Sequence, residues 1–190
     1  IRLLEALIDQ GAAGLTIVSN NAGEGEFGLA ALMKAERVTK VICSYPRSAG
    51  SIIFEELYDQ GNIELEVVPQ GTLSERMRAA GAGIGGFFTP TSAGTLLGAN
   101  KETREIEGKV HVLETPLKGD VALVKADAGD RWGNLTYNKS ARNFGPTMAM
   151  AAKLTIAEVK TIKELGEISP EHVVTPGIFV DRVIKLREEQ

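Results

Sequence analysis

Apolar positions in the first half of this chain switch repeatedly between helical and extended spacing. Leu3, Leu4, Leu7 and Ile8 fall on one face of a helix, with Gly11 as its stop. Residues 15–19 are a short run of strand type, followed by the turn cluster Asn20-Asn21-Ala22-Gly23. Helical spacing returns over residues 27–35. Residues 40–44 predict a second strand ending at Tyr45-Pro46-Arg47, and residues 52–60 a helix closed by Gly61. Residues 63–68 predict a third strand, which Pro69 ends. A helix follows over residues 72–80, with Thr72 and Glu75 spaced as a capping box.

Strands that alternate with helices in this way make a largely parallel sheet with helical crossovers the economical fold, because parallel neighbours need long connections. Ligands of such sheets sit beyond the carboxyl ends of the strands. Those ends are Asn20-Asn21, Tyr45-Pro46-Arg47 and Pro69-Gln70-Gly71, three polar loops on one rim. The second half is patterned differently. Residues 103–107 and 110–114 flank Gly108-Lys109 as a β-hairpin. Residues 120–126, 135–137, 154–159 and 178–184 are further strand candidates. No linker, low-complexity segment or clear repeat interrupts the 190 residues, which read as one α/β domain with β-hairpin elements in its second half.

Composition narrows the function. Hydrophobic residues at 43% and charged residues at 24% predict a packed core rather than disorder. A net charge of -4 argues against nucleic acid as a partner and gives no support for an anionic membrane surface. The single Cys43 cannot form an internal disulfide, and no apolar run approaches the roughly 18 residues of a membrane span, so the chain reads as cytoplasmic. It opens in mid-helix pattern without an initiator Met, so a preceding segment is expected to be missing.

Each candidate motif has a dull reading beside a chemical one. Gly81, Gly83 and Gly86 fit the dinucleotide spacing, but a helix precedes them and Phe87-Phe88-Thr89-Pro90 follows, so the strand and helix that the chemistry needs are absent. A glycine loop permitting close backbone approach is the better account. Gln70 is either a solvated loop amide or a donor aimed into the crevice to stabilise an oxyanion. Arg47 is either a surface charge or a fork for a carboxylate. Asn20 and Asn21 either make the turn or present amides to substrate. His111 and His172 have no Cys or His at ligand spacing, so no metal site is expected, and no serine-hydrolase elbow is present. Glu55 and Glu56 belong to a helix face, whereas Glu24 and Glu26 lie in a loop near the rim and keep a small claim as nucleophiles.

Several motifs, taken in order, resemble the A subunits of family I coenzyme A transferases. They are Leu15-Thr16-Ile17-Val18-Ser19-Asn20-Asn21-Ala22-Gly23, Val68-Pro69-Gln70-Gly71-Thr72-Leu73-Ser74-Glu75-Arg76 and Gly81-Ala82-Gly83-Ile84-Gly85-Gly86-Phe87-Phe88-Thr89-Pro90-Thr91. Asp130-Arg131-Trp132-Gly133-Asn134-Leu135-Thr136-Tyr137, Ala141-Arg142-Asn143-Phe144 and Thr175-Pro176-Gly177-Ile178 extend the resemblance over essentially the whole chain. Ile42-Cys43-Ser44-Tyr45-Pro46-Arg47 looks most like the 3-oxoadipate type, with succinyl-CoA:acetoacetate and acetate/butyrate types as alternatives. A small-anion-binding domain without chemistry is the competing function of another class, since related folds do that work.

The resemblance implies an open CoA-transferase-like sheet, partnership with a B subunit in a hetero-oligomer, and CoA thioester as substrate with no tightly bound cofactor. It implies that a glutamate of the partner attacks the thioester, giving a mixed anhydride and then an enzyme–CoA thioester, which is covalent ping-pong chemistry. In the same terms Gln70 serves as oxyanion donor. Asn20 and Asn21 lie beside the small-acid pocket, and Phe87, Phe88 and Thr89 line its wall. The A subunits of the family also begin with a strand and a glycine-rich loop, and neither is found before Ile1. Arg47 is expected to hold the distal carboxylate of a dicarboxylic acid.

Overall fold

The computed structural model describes residues 2–47 and 50–186. The chain divides into two compact units, one of residues 1–73 and 89–112, the other of residues 74–88 and 113–190.

The first unit is built on the alternation visible in the sequence. Helix α1 (Arg2–Gln10) stops at Gly11, whose φ of 86° suits only a residue without a Cβ. Strands β1 (Leu15–Asn21), β2 (Val38–Tyr45) and β3 (Glu64–Val67) lie in the order β1-β2-β3, each pair parallel. Helices α2 (Leu29–Lys34) and α3 (Ile52–Asp59) are the crossovers between them. The core is apolar and interleaved: Leu32, Met33, Val41, Cys43 and Phe54 are buried, with Leu4, Leu7 and Ile8 of α1 packed against them. Burial of a side chain of this size is worth about 1.5–3 kcal/mol, so this cluster dominates the unit's stability.

Three local expectations are corrected here. Strand β1 runs on through Asn20 and Asn21, because β2 continues beside it to Tyr45 and their ladder hydrogen bonds hold both asparagines extended. Helix α4 (Gln70–Ala82) starts two residues ahead of Thr72, with the Pro69 carbonyl accepting its first bond from Leu73 N at 2.8 Å. Thr72 is therefore buried inside the first turn rather than capping it, and Glu75 pairs with Arg78 at 2.9 Å instead of closing a capping box. Also in this unit, β5 (Thr103–Ile106) and most of β6 (Lys109–Glu114) form the expected hairpin. Its turn sits at Glu107-Gly108, one residue earlier than read, since both have positive φ (51° and 72°) as a tight hairpin turn demands.

The second unit carries a four-stranded sheet of β10 (Arg182–Lys185), β9 (Ala152–Lys163), β7 (Gly119–Asp130) and β8 (Leu135–Thr136), in that order. β7, β9 and β10 are parallel neighbours, while β8 folds back antiparallel on β7. Helix α5 (Ala141–Ala151) packs on β7 and β9, and the sequence pattern did not announce it. Residues 178–184 are not one strand: a short 3-10 turn (Gly177–Phe179) precedes β10. In the glycine-rich stretch that closes α4, Gly81 serves packing within the helix, since a Cβ there would press into Met150, and Gly83 leaves the helix at a φ of 70°.

Candidate functional site

The carboxyl edge of the first unit's sheet gathers three polar side chains. The register pairs Ser19 with Cys43 and Asn21 with Tyr45, so Asn20 and Ser44 stand side by side on adjacent strands. β3 ends one turn of chain before Gln70, which becomes the first residue of α4. Gln70 Nε2 donates to Asn20 Oδ1 at 2.8 Å, and Ser44 Oγ donates to the same oxygen at 2.6 Å. Asn20 and Ser44 are half-buried, whereas Gln70 is exposed.

This arrangement suits a site that meets negative charge. Gln70 keeps a second amide hydrogen beyond the one given to Asn20. It also sits at the N-terminal end of a helix of 13 residues, where unpaired backbone N–H groups carry partial positive charge. Asn20 Nδ2 has no partner among the described residues and adds another donor on the rim.

The two asparagines, inseparable in the sequence, do different things. Asn21 turns its Oδ1 onto Gly23 N at 3.0 Å and builds the turn, in which Gly23 has a φ of 86° and its carbonyl accepts Ser51 Oγ at 2.8 Å. Asn20 alone reaches Gln70. Arg47 follows β2 at the same edge, 68% exposed at its side chain, with Nε 3.6 Å from Glu55 Oε1 in the first turn of α3. No hydrogen bond joins it to Asn20 or Gln70 among the described residues. Thr89, at the end of β4 (Phe87–Thr89), turns its Oγ1 to accept Thr91 N at 3.2 Å. Phe87 and Phe88 fall in the second unit and are half-buried there.

The loop carboxylates are engaged elsewhere or solvated: Glu26 pairs with Lys34 at 2.9 Å, and Glu24 is exposed. No group of three or more His, Cys, Asp or Glu side chains that could hold a metal occurs among the described residues. Nor is any helix among them long and apolar enough to cross a membrane. An open groove of about 390 Å³ runs between α2 and α3 past Lys34, Ile52 and Glu56, and neither Asn20 nor Gln70 lines it. Ser44 is the residue that sequence reasoning missed. Its signal was available, since a strand-end hydroxyl one position after a buried Cys must face away from the core beside its parallel neighbour.

The coenzyme A transferase family model matches residues 2–186. The chain belongs to the coenzyme A transferase family. It is 64% identical over 182 residues to the A subunit of 3-oxoadipate CoA-transferase from Pseudomonas putida, covering 96% of this chain and 79% of that protein. The counterpart from Acinetobacter baylyi, of the same name, is 58% identical over 185 residues, 97% of this chain and 81% of that one. The A subunit of succinyl-CoA:3-ketoacid coenzyme A transferase from Xanthomonas campestris is 51% identical over 182 residues, 96% of this chain and 74% of that one. Among solved structures, an acyl-CoA transferase from Escherichia coli in thioester complex with CoA shares the fold, with a TM-score of 0.82 at 21% identity. That match covers 99% of this CoA-transferase chain but 41% of the other, so the chain spans less than half of that structure.

Proposed function

We propose that this chain is the A subunit of a two-subunit CoA-transferase that moves CoA from succinyl-CoA to a 3-oxoacid, with 3-oxoadipate as the acceptor. The observation that carries the reading is the Gln70 amide, held at the sheet's carboxyl edge by Asn20 at the start of a long helix. The 64% identity to a relative named for 3-oxoadipate CoA transfer supports the choice of acid. Relatives named for 3-ketoacids make acetoacetate the second acid to try.

In this reading the B subunit supplies the glutamate. Its carboxylate adds to the thioester carbonyl of succinyl-CoA, the carbonyl oxygen becomes negative, and the collapse expels CoA thiolate with formation of a mixed anhydride. The thiolate then adds to the glutamyl carbonyl and succinate leaves, so the enzyme holds the thioester. The acceptor acid reverses the sequence and departs as its CoA ester. Every addition places charge on an oxygen, and Gln70, held by Asn20, donates to it from this chain. One thioester replaces another, so the exchange runs near equilibrium without ATP. CoA enters as substrate, and no tightly bound cofactor is required. Arg47 grips the distal carboxylate of the dicarboxylic acid, releasing Glu55 as it does so.

The test is CoA transfer from succinyl-CoA by this chain alone and by the chain co-purified with its B subunit, using 3-oxoadipate and acetoacetate. The expected result is activity only for the assembly, ping-pong kinetics, and a higher kcat/KM for 3-oxoadipate. Turnover by the chain alone would overturn the division of labour, and a preference for acetoacetate would overturn the substrate.

A further inference from the structure

Ser44 owes its position to the strand register. Cys43 turns into the apolar core at 0% exposure, so Ser44 takes the opposite face, alongside Asn20 of the neighbouring strand. Its hydroxyl lies 2.6 Å from Asn20 Oδ1 and 3.1 Å from the Asn20 backbone carbonyl. The shorter contact falls in the O–H···O range and is tighter than an N–H···O bond, so the oxygen end of the Asn20 amide faces Ser44. An amide oxygen offers two lone pairs. Here one is taken by Ser44 and the other by Gln70 Nε2 at 2.8 Å.

Saturating Oδ1 has two consequences. The Asn20 amide is fixed with its NH2 group turned away from both partners. Gln70, a long exposed side chain, is held through one of its two amide hydrogens, which aims the other. Without the hydroxyl, Asn20 loses the contact that orients it, and Gln70 is left with a partner free to rotate.

We propose that Ser44 is a positioning residue whose hydroxyl orients the Asn20 side-chain amide and, through it, aims the oxyanion-stabilising donor Gln70. The chemistry rests on the CoA-transferase reading above; the geometry stands without it. Ser44 acts only through other side chains, so its loss slows the chemical step and spares ground-state binding. Its effect also has to disappear once Gln70 is gone, because residues acting as one unit are not additive.

The experiment uses the A–B assembly with S44A, S44T, Q70A and the S44A/Q70A pair. S44A is expected to lower kcat about tenfold with KM moved less than about twofold, and S44T to recover activity to within about threefold. In the Q70A background, S44A should add less than about twofold. A fully multiplicative loss in that background, an unchanged kcat in S44A, or failure of threonine to rescue would each overturn the proposal. A second readout needs no turnover: side-chain amide resonances of the 15N-labelled chain within the assembly. S44A should shift the Asn20 and Gln70 NH2 signals and S44T restore them, and signals indifferent to S44A would also overturn the proposal. An assembly that transfers CoA to neither acid yet shows these shifts rejects the functional reading and keeps the clamp. An active assembly indifferent to S44A rejects the clamp and keeps the function.

Discussion

An amide that stabilises an oxyanion has to be aimed before the charge develops, because reorienting it during the reaction consumes the energy it supplies. Gln70 meets that condition through Asn20. Gln70→Ala should lower kcat of the assembly by about 10²–10³, the usual loss of one such donor, with a much smaller effect on KM. Stopped-flow measurement of CoA release would check it, and a loss confined to KM would make Gln70 a binding residue instead. Gln70→Glu keeps the shape but sets an acceptor against Asn20 Oδ1, so it should do no better than alanine. Arg47 obeys a different rule. Its pair with Glu55 is exposed and 3.6 Å long, so breaking it is cheap and the guanidinium is available to a ligand. Arg47→Ala should raise KM for 3-oxoadipate about tenfold or more while changing KM for acetoacetate less than about twofold. Equal changes for both acids would remove Arg47 from substrate recognition.

At the scale of elements, legibility followed periodicity. The first unit's strands and helices could be read because apolar spacing changed period at each boundary and Gly11, Gly61 and Pro69 punctuated it. α5 could not, because Gly145 and Pro146 sit in its middle and both disfavour helix on local grounds. Tertiary packing overrides them: Gly145 lies where a Cβ would overlap the Tyr137 ring. The Asn20 and Ser44 pairing was hidden for a related reason, since only cross-strand register brings residues 24 positions apart into one hydrogen bond. Asp130-Arg131-Trp132-Gly133-Asn134 was legible as a motif but not as a device. Buried Asp130 accepts Trp132 N at 2.9 Å, Asn134 N at 3.0 Å and Asn134 Nδ2 at 2.8 Å, closing the turn between β7 and β8. Asn134 Oδ1 in turn accepts Gly177 N at 3.0 Å. Asp130→Asn sets an NH2 group against donors, so it should cost about 1–3 kcal/mol, the penalty of an unsatisfied buried polar group. Urea unfolding of the chain reads this directly, and an unchanged midpoint would mean that the turn relaxes around the substitution.

For the whole molecule, two groups that folding keeps neutral are expected to weaken stability at alkaline pH. Burial pushes the Cys43 thiol up from its ordinary 9.0, against a smaller opposing effect of a backbone hydrogen bond with Tyr45. Burial likewise raises the Tyr137 phenol from 10.0, partly offset by its hydrogen bond to Thr175. A group whose folded pKa is raised contributes stability that is fully present below its unfolded pKa and is lost as pH rises through the folded value. The Tm should therefore be level up to about pH 8.5, begin to fall near 9 as the unfolded thiol ionises, and steepen once the unfolded phenol follows near 10. The exposed Asp120–Lys153 pair has the same sign on its lysine side, since Asp120 holds the Lys153 ammonium above its ordinary value. That contribution is screened by salt, whereas the desolvation of the thiol and the phenol is not, so scanning calorimetry at high ionic strength isolates those two. Cys43→Ala should flatten the first part of the decline and Tyr137→Phe the second, although Tyr137→Phe lowers the plateau by leaving the buried Thr175 hydroxyl without its 2.7 Å partner. An alkaline slope unchanged in both variants would place the responsible protons elsewhere. Burial of Cys43 makes one more demand on the same samples: a thiol reagent should label the native chain only as fast as it opens, and S44A, on the strand's other face, should leave that rate alone.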